Sequence, residues 1–254
     1  MSQKQILITG AASGIGQGIA FYLAAKGHHI IVSDMNKEHA QETVDKIIKE
    51  GGSAQAEKLN VTLSEDVDNL IKILDKPIDV LINNAGIQHV ESIDSFPMDK
   101  WDFLIQVMLV GVARLTQAVL PQMKVQDFGR VINIGSLHAL VASPYKSAYI
   151  AAKHGLLGFS KTISLEVATS NITINTLCPA YVRTPLVEKQ IAAQAKEHGM
   201  SQEMVINDIM LKPMPKKAFI EIDELAASCE FLMSDFSKNI TAQAIALDGG
   251  WTAQ

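Results

Sequence analysis

The chain has 254 residues, with 22 lysines and arginines against 27 aspartates and glutamates, a formal net charge of −5. Hydrophobic residues make up 48% of the chain and charged residues 19%, which excludes disordered and fibrous proteins and indicates a large apolar core. An acidic balance without a basic tract argues against a nucleic-acid partner. No run of about 18 apolar residues occurs, so we expect no membrane span.

The cysteines and the N-terminal sequence indicate the cellular compartment in which the protein works. Cys178 and Cys229 are the only cysteines, and neither has a metal-binding or redox spacing. We therefore expect two buried, reduced thiols and no metal site. The N-terminus lacks the charged, then apolar, then small-residue order of a secretory leader, so we expect a cytoplasmic protein.

Short apolar, β-branched runs alternate with helical patterns along the whole chain. The predicted strands are Ile6–Thr9, His29–Ser33, Ala54–Val61, Ile78–Asn83, Val131–Gly135, Ile172–Leu177 and Ala244–Leu247. The helical patterns cover Ile15–Leu23 and about Lys37–Glu50, Met98–Val125, Ser147–Thr169 and Asp223–Ser234. Continuous apolar strands are typical of a sheet covered on both faces. We therefore predict one α/β domain over residues 1–254, a Rossmann-like doubly wound parallel sheet of about seven strands with helices on both faces.

One region departs from this alternation. From Leu186 to Lys217 the chain is polar, rich in lysine and glutamine and helical in pattern, and it closes with Pro213 and Pro215. A segment of this size after a strand is either a surface decoration or a lid over a site. Because it follows a strand end, where ligands bind in such sheets, we interpret residues 186–217 as a small helical lid.

A glycine-rich loop, Thr9–Gly16, joins the first predicted strand to a helix. Glycines allow a tight turn and a close approach to a pyrophosphate, and the helix N-terminus offers free N–H groups. A plain tight turn is the alternative, but strand, loop and helix occur in the order that a dinucleotide site requires. The residues expected to hold the nucleotide here are Thr9, Gly10, Ser13, Gly14, Ile15 and Gly16.

Two further strand ends carry polar residues. Asp34 follows Gly16 by 18 residues, and a carboxylate there can accept hydrogen bonds from both hydroxyls of an adenosine ribose. It would repel a 2′-phosphate, which favours NAD over NADP. The alternative role for Asp34 is the N-cap of the next helix, and one Asp could do both. Asn83–Gly86 closes the fourth strand, where two Asn side chains and a glycine are poorly explained by packing.

The chemistry-bearing residues follow the fifth strand. Ser136 stands at its end, Tyr149 comes 13 residues later and Lys153 four after that, so Tyr149 and Lys153 share a helix face. Oxidising an alcohol requires a base for the hydroxyl proton, and a tyrosine with a pKa of about 10 is a poor one. We expect the Lys153 ammonium to lower that pKa and Ser136 to hold the substrate oxygen.

With these motifs the sequence resembles the short-chain dehydrogenase/reductase family over essentially its full length. The matching segments are Thr9–Gly16, Asn83–Gly86, Ser136, Tyr149 with Lys153, and Pro179–Thr184. The resemblance implies that Ser136, Tyr149 and Lys153 are catalytic and that Lys153 also binds the nicotinamide ribose. It implies a homotetramer with the two long helices packed against a neighbour's copies. The resemblance further implies that Val182 and Thr184 hold the carboxamide and that Asn60 and Val61 lie beside the adenine. The other nucleotide contacts that we expect are Asn83, Ala85, Gly86 and Tyr149.

The sequence departs from the family pattern at three positions. Asn60 stands where Asp is usual, and Ala180 where Gly is usual. More seriously, the family's catalytic Asn, in the middle of the long helix, aligns with Met108, seven residues after Trp101. That Asn bends the helix and holds a water for the proton relay, which Met cannot do. Either Met108 is only a packing residue here, or it slows the relay.

The substrate residues are predicted from polar side chains near the strand ends. Such residues are often merely solvated, but two amides, a His and a Lys converging on the nicotinamide suit a small anionic substrate. Within the family, the segments that carry these side chains resemble those of bacterial enzymes that interconvert (R)-3-hydroxybutyrate and acetoacetate with NAD. The resemblance implies as substrate residues Gln88, Ser136, His138, Lys146, Tyr149, Gln190 and Trp251.

We therefore expect an NAD-dependent dehydrogenase of (R)-3-hydroxybutyrate with a Tyr general base. One alternative is a related reductase of another small hydroxy or oxo acid. The other is a nucleotide-binding protein with weak catalysis, because of Met108.

Overall fold

The computed structural model of the protein describes residues 2–253, built around a sheet of seven parallel strands in the order β3-β2-β1-β4-β5-β6-β7. The strands are β1 (Gln5–Thr9), β2 (His29–Asp34), β3 (Ser53–Lys58), β4 (Val80–Asn83), β5 (Gly129–Ile134), β6 (Ile172–Pro179) and β7 (Ala244–Leu247). The order reverses between β1 and β4, which opens a crevice at their carboxyl ends. The predicted fold class is confirmed.

Helices cover both faces of the sheet. They are α1 (Gly14–Ala25), α2 (Lys37–Lys49), α3 (Ser64–Ile73), α4 (Met98–Ile105), α5 (Gly111–Val125), α6 (Ser147–Glu166), α7 (Pro185–His198), α8 (Gln202–Met204) and α9 (Ile222–Leu232). Successive strand residues point to opposite faces, so Ile6 and Ile8 of β1 pack with α1, α2 and α9. Leu7 between them packs with α3, α4, α5 and α6 on the other face.

Most element bounds differ from the sequence prediction by a few residues, and two differences have a clear physical cause. Helix α3 was not predicted, because it buries only Val67 and Leu70 and so carries a weak apolar pattern. Strand β3 ends at Lys58, three residues earlier than expected. The backbone N–H of Asn60 donates to the Asp66 carboxylate at 3.0 Å instead of to a neighbouring strand. The strand therefore ends before Asn60.

Helices α4 and α5 form one continuous helical stretch, Met98–Val125. A π-helical turn, Gln106–Val110, joins them. By length and composition alone this stretch could cross a membrane, but 44% of its most apolar window is buried inside the protein. Leu104, Leu115 and Val119 belong to the apolar cluster on the sheet, so we interpret it as a core helix.

The segment predicted as a lid is helical. It contains α7, α8 and a π-helical turn, Val205–Met210. A small apolar cluster formed by Val187, Ile191, Val205 and Met210 holds these turns together. The C-terminal end of the segment is anchored elsewhere, because Leu211 and Met214 belong to the apolar cluster that covers the sheet.

Candidate active site

A cleft of about 470 Å³ lies beyond the carboxyl ends of the strands. It brings together most of the residues predicted for cofactor, catalysis and substrate. The predicted residues that line it are Gly10, Ser13, Gly14, Ile15, Asp34, Ala85, Gly86, Gln88, Ser136, His138, Lys146, Tyr149, Lys153, Thr184 and Gln190. They come from loops that are distant in sequence, and only the parallel sheet collects them at one edge.

The glycine-rich loop has the geometry of a phosphate cradle. Gly10 and Gly14 have φ angles of +62° and +58°, which L side chains rarely adopt. A Cβ on Gly16 would lie 2.5 Å from the Asn84 amide nitrogen and 2.7 Å from the Gly10 carbonyl oxygen, so no larger residue fits there.

The N-terminus of α1 leaves its backbone N–H groups available. Ser13 is the N-cap, yet its side chain makes no capping hydrogen bond. A helix start without a side-chain cap retains free donors and a partial positive charge, which suit a phosphate. These residues therefore fit the pyrophosphate of a dinucleotide.

Three predicted cofactor residues are buried and do not line the cleft. The Thr9 hydroxyl accepts hydrogen bonds from the backbone N–H groups of Asn84 and Ala85, each at 3.0 Å. Gly16 fits against the same Asn84 side chain. The Asn83 side chain is 4% exposed and donates to the Asn133 amide oxygen at 2.8 Å.

Sequence reasoning missed Asn84 as a site residue. Its amide donates to the carbonyl oxygens of Thr9 and Gly10, at 2.9 and 3.1 Å, and it lines the cleft. The sequence prediction named Asn83 of the motif Asn83–Gly86 as the cofactor contact, whereas Asn84 lines the cleft. The strand decides it, because neighbouring residues point to opposite sides.

Four other predicted contacts lie outside the cleft lining. Asn60 binds Thr62 through its side-chain oxygen, at 2.8 and 3.0 Å, and the carbonyl of Val61 accepts from Arg114. Val182 is buried in a bridge to Ile220. Trp251 lies behind a residue that does line the cleft, since its ring centre is 6.1 Å from that of Tyr181.

Asp34 lies at the far end of the cleft from the catalytic residues. Its carboxylate accepts from the backbone N–H groups of Ala12 at 3.4 Å and Asn36 at 3.1 Å. The alternative role as a helix N-cap is wrong, because Asn36 caps α2 by accepting from the His39 N–H. Asp34 therefore closes the turn beside the nucleotide loop, and it lines the cleft.

Ser136, Tyr149 and Lys153 meet in the middle of the cleft. Tyr149 and Lys153 are one turn apart on α6, and Ser136 follows β5. The Lys153 ammonium is 5% exposed, donates to the Ile134 carbonyl at 2.7 Å and lies 5.6 Å from the centre of the Tyr149 ring. The predicted catalytic set is therefore assembled around one point.

The prediction that Lys153 lowers the Tyr149 pKa is wrong for the protein alone. Burial raises the pKa of the Tyr149 phenol, and the Ser136 hydroxyl opposes this. Burial also lowers the pKa of Lys153 to about 8, so the lysine is a weaker positive charge than an exposed one. Desolvation of the phenolate is the dominant effect on Tyr149, so the phenol is protonated at neutral pH.

The predicted substrate residues lie around this catalytic set. Gln88, His138, Lys146 and Gln190 all line the cleft. Burial lowers the pKa of Lys146, which is the sign of a charge held partly away from water. Burial, and then the charges of Lys146 and His154, lower the pKa of His138 to about 4. One side of the cleft thus offers a cation and several neutral hydrogen-bonding groups.

Met108 lies at the π-helical turn, next to Gly86 in the turn that follows β4. It is 1% exposed, and its sulfur would be 3.7 Å from a Cβ placed on Gly86. The helix therefore keeps a widened turn at this position although no Asn is present. An apolar thioether here fills space and cannot hold a water by hydrogen bonds.

Comparison with known proteins agrees with this geometry. Residues 4–195 match the family model of the short chain dehydrogenases. The chain is 43% identical to D-beta-hydroxybutyrate dehydrogenase of Rhizobium meliloti, with 99% of each chain covered. It is 38% identical to the enzyme of the same name from Cupriavidus necator, with 100% of each covered. It is also 35% identical to a 3-oxoacyl-(acyl-carrier-protein) reductase of Thermotoga maritima, with 97% of each covered.

A solved structure is similar over nearly the whole molecule. A variant of actinorhodin polyketide ketoreductase, crystallised with NADPH, superposes with a TM-score of 0.93 at 28% identity. The match covers 99% of this chain and 98% of that one. The family match, the fold and the assembled Ser136, Tyr149 and Lys153 lead to one conclusion. This chain is an oxidoreductase of the short chain dehydrogenase family.

Proposed function

We propose that the protein interconverts (R)-3-hydroxybutyrate and acetoacetate with NAD. The observation that carries the proposal is the position of Lys146 beside the catalytic set, with Gln88, His138 and Gln190 in the same cleft. A partly buried ammonium is the natural partner of a substrate carboxylate. Two relatives of 43% and 38% identity bear the name of this activity, which supports the assignment.

Different residues of the cleft have different roles in the reaction. When bound, NAD would supply the hydride acceptor, held by the glycine-rich loop and the residues around Tyr149 and Lys153. Ser136 holds the substrate oxygen, and Tyr149 takes its proton in oxidation and returns it in reduction. Burial raises the Tyr149 pKa, so the phenol carries the proton that reduction of the ketone requires. In oxidation the phenol must first lose its proton, and the Lys153 ammonium would stabilise the resulting phenolate.

A panel of substrates tests the proposal directly. NAD reduction would be followed at saturating cofactor with (R)-3-hydroxybutyrate, its (S) enantiomer, longer 3-hydroxy acids and 3-hydroxyacyl thioesters. We expect the highest kcat/KM with the (R) acid. Faster turnover of another small hydroxy acid or of a thioester would assign the protein to a related reductase. NADH binding without measurable turnover of any substrate would identify a nucleotide-binding protein.

Asp34 should make the enzyme prefer NAD strongly. Its carboxylate lies in the nucleotide cleft, where it can bind the ribose hydroxyls and repel a 2′-phosphate. Asp34→Ala or Asp34→Ser should weaken NAD binding and relax the rejection of NADP. The measurement is kcat/KM for both cofactors in all three proteins. Equal values for NAD and NADP in the unmodified enzyme contradict the assignment.

Met108→Asn should raise kcat with little change in NAD affinity. The unmodified protein should be a real but slow enzyme, because Ser136, Tyr149 and Lys153 are still present for the hydride step. A restored water site should gain at most roughly 10²–10⁴-fold, the range of a positioned proton-transfer group. Some stability loss is expected, since Met108 is buried and an Asn there needs partners.

The measurement is kcat from pH 6 to 10 for both proteins. Met108→Leu is the matched control, since it keeps the volume and adds no polar group. A gain shared by the Leu variant would mean that packing is responsible. An unchanged or lower kcat in a folded Asn variant rules out the relay explanation.

We propose a cytoplasmic homotetramer as the working form. An open face between α5 and α6 supports an interface, because apolar side chains such as Leu120, Phe159 and Ile163 line it. The sequence resemblance implies the same helices. Sedimentation of the full-length protein would show whether the mass is that of four chains.

A further inference from the structure

His138 is held at both ring nitrogens. Its Nε2 lies 2.7 Å from the Ser143 hydroxyl, and its Nδ1 lies 3.5 Å from the Ser136 hydroxyl. Its backbone N–H also donates to the Ser136 oxygen at 3.1 Å. The side chain is 6% exposed. In this arrangement His138 is bound mainly to two serines, one of them catalytic.

The direction of these hydrogen bonds depends on which ring nitrogen carries the proton. A neutral imidazole has one N–H and one acceptor nitrogen, and a hydroxyl has one hydrogen and two lone pairs. If Nε2 carries the proton, His138 donates to Ser143 and draws the Ser136 hydrogen to Nδ1. If Nδ1 carries it, Ser143 donates to Nε2, and the Ser136 oxygen accepts from His138 twice, through the ring and the backbone.

The two cases differ in what Ser136 can do. In the first case its only hydrogen is directed at His138 and away from the cleft. In the second case both lone pairs are engaged, so its hydrogen points into the cleft, where the Tyr149 phenol and the substrate oxygen can accept it. A residue that polarises a substrate carbonyl must donate its hydrogen to that oxygen.

We propose that Ser143 is a positioning residue, which donates to Nε2 of His138 and thereby keeps the ring proton on Nδ1 and the Ser136 hydrogen directed at the substrate oxygen. The inference deepens the proposed function and rests on it for the identity of the substrate. Ser143 lies on the loop between Ser136 and α6 and does not line the cleft. It therefore acts through His138 and makes no contact with the substrate.

The surroundings of His138 keep it neutral, which makes the choice of ring nitrogen meaningful. Burial lowers its pKa to about 4, helped by the charges of Lys146 and His154. At neutral pH the ring thus has a single N–H, and its hydrogen-bond partners decide where that proton lies. The Ser143 contact is the shorter of the two ring contacts, so Ser143 has the stronger influence.

Nitrogen-15 NMR on histidine-labelled, full-length protein reads the ring proton directly and requires no turnover. We expect His138, assigned by the loss of its signals in His138→Asn, to show a protonated Nδ1 and a bare Nε2. Ser143→Ala should shift the proton toward Nε2, and Ser143→Thr, which keeps a hydroxyl, should not. A protonated Nε2 in the unmodified protein, or no shift in Ser143→Ala, overturns the proposal.

Kinetics supply the second readout. Ser143→Ala should lower kcat for the ketone roughly two- to tenfold, the effect of one hydrogen bond of ordinary strength, with KM for NADH unchanged. Ser143→Thr should retain most of the unmodified enzyme's kcat. The matched control is Ser95→Ala, which removes an exposed hydroxyl bound to Glu91 and should leave kcat unchanged. A loss in Ser143→Ala that Thr does not restore also overturns the proposal.

The two readouts separate this inference from the proposed function. If the NMR result is as expected but 3-hydroxybutyrate is not turned over, the substrate assignment fails and the role of Ser143 stands. If 3-hydroxybutyrate is turned over and the ring proton is on Nε2, the role of Ser143 fails and the function stands.

Discussion

Tyr149→Phe should lower kcat by roughly 10²–10⁴-fold, the range expected for the loss of a positioned acid–base group, and leave NADH binding largely intact. The phenol lies between Ser136 and Lys153 in the cleft, whereas the cradle for the phosphates is built by the glycine-rich loop. Removing one hydroxyl therefore removes the proton carrier and retains most cofactor contacts.

The measurements are kcat by NAD reduction and the NADH dissociation constant by fluorescence. The matched control is Tyr145→Phe, which removes an exposed phenol four residues earlier in the chain and should leave kcat unchanged. If Tyr149→Phe keeps more than about a tenth of kcat, far above the loss expected for an acid–base group, Tyr149 is not the base.

Lys146→Ala should raise KM for the hydroxy acid far more than KM for NAD. Removing the partner of a desolvated charge costs roughly 2–5 kcal/mol, and the lower end applies because Lys146 is only partly buried. We therefore expect a rise of roughly 30-fold or more. A 3-hydroxy ester, which carries no carboxylate, should be affected much less.

A control variant and the pH dependence of KM test this prediction further. Lys161→Ala removes an exposed lysine of α6 and should change neither KM. Because burial lowers the pKa of Lys146, KM for the acid should begin to rise at a lower pH than an exposed lysine would give. Equal losses for acid and ester show that Lys146 does not bind the carboxylate.

The local patterns of the sequence predicted much of the fold. Continuous apolar strands alternating with helices imply a parallel sheet, and the seven strands are where such runs occur. The signal failed where burial was slight, as in helix α3, which buries only Val67 and Leu70. Periodicity reports how much of an element is buried, and an element that buries little leaves little pattern.

The site was predictable where chemistry requires particular residues at short spacing. The glycine-rich loop Thr9–Gly16, the strand-end Ser136 and the helical pair Tyr149 and Lys153 were all named from sequence, and all lie at the carboxyl edge of the sheet. A spacing of four residues places two side chains on one helix face in any fold. Such motifs therefore need no knowledge of distant contacts.

Only the tertiary structure decided which groups those residues contact. Asn84 rather than Asn83 faces the cleft, Lys153 donates to the Ile134 carbonyl, and burial raises the Tyr149 pKa. The contact of His138 with Ser143 belongs to the same class. Residue types determine which chemistry a side chain can perform. Its direction, its hydrogen-bond partners and its pKa depend on the distances and the desolvation that arise only when the packed elements surround it.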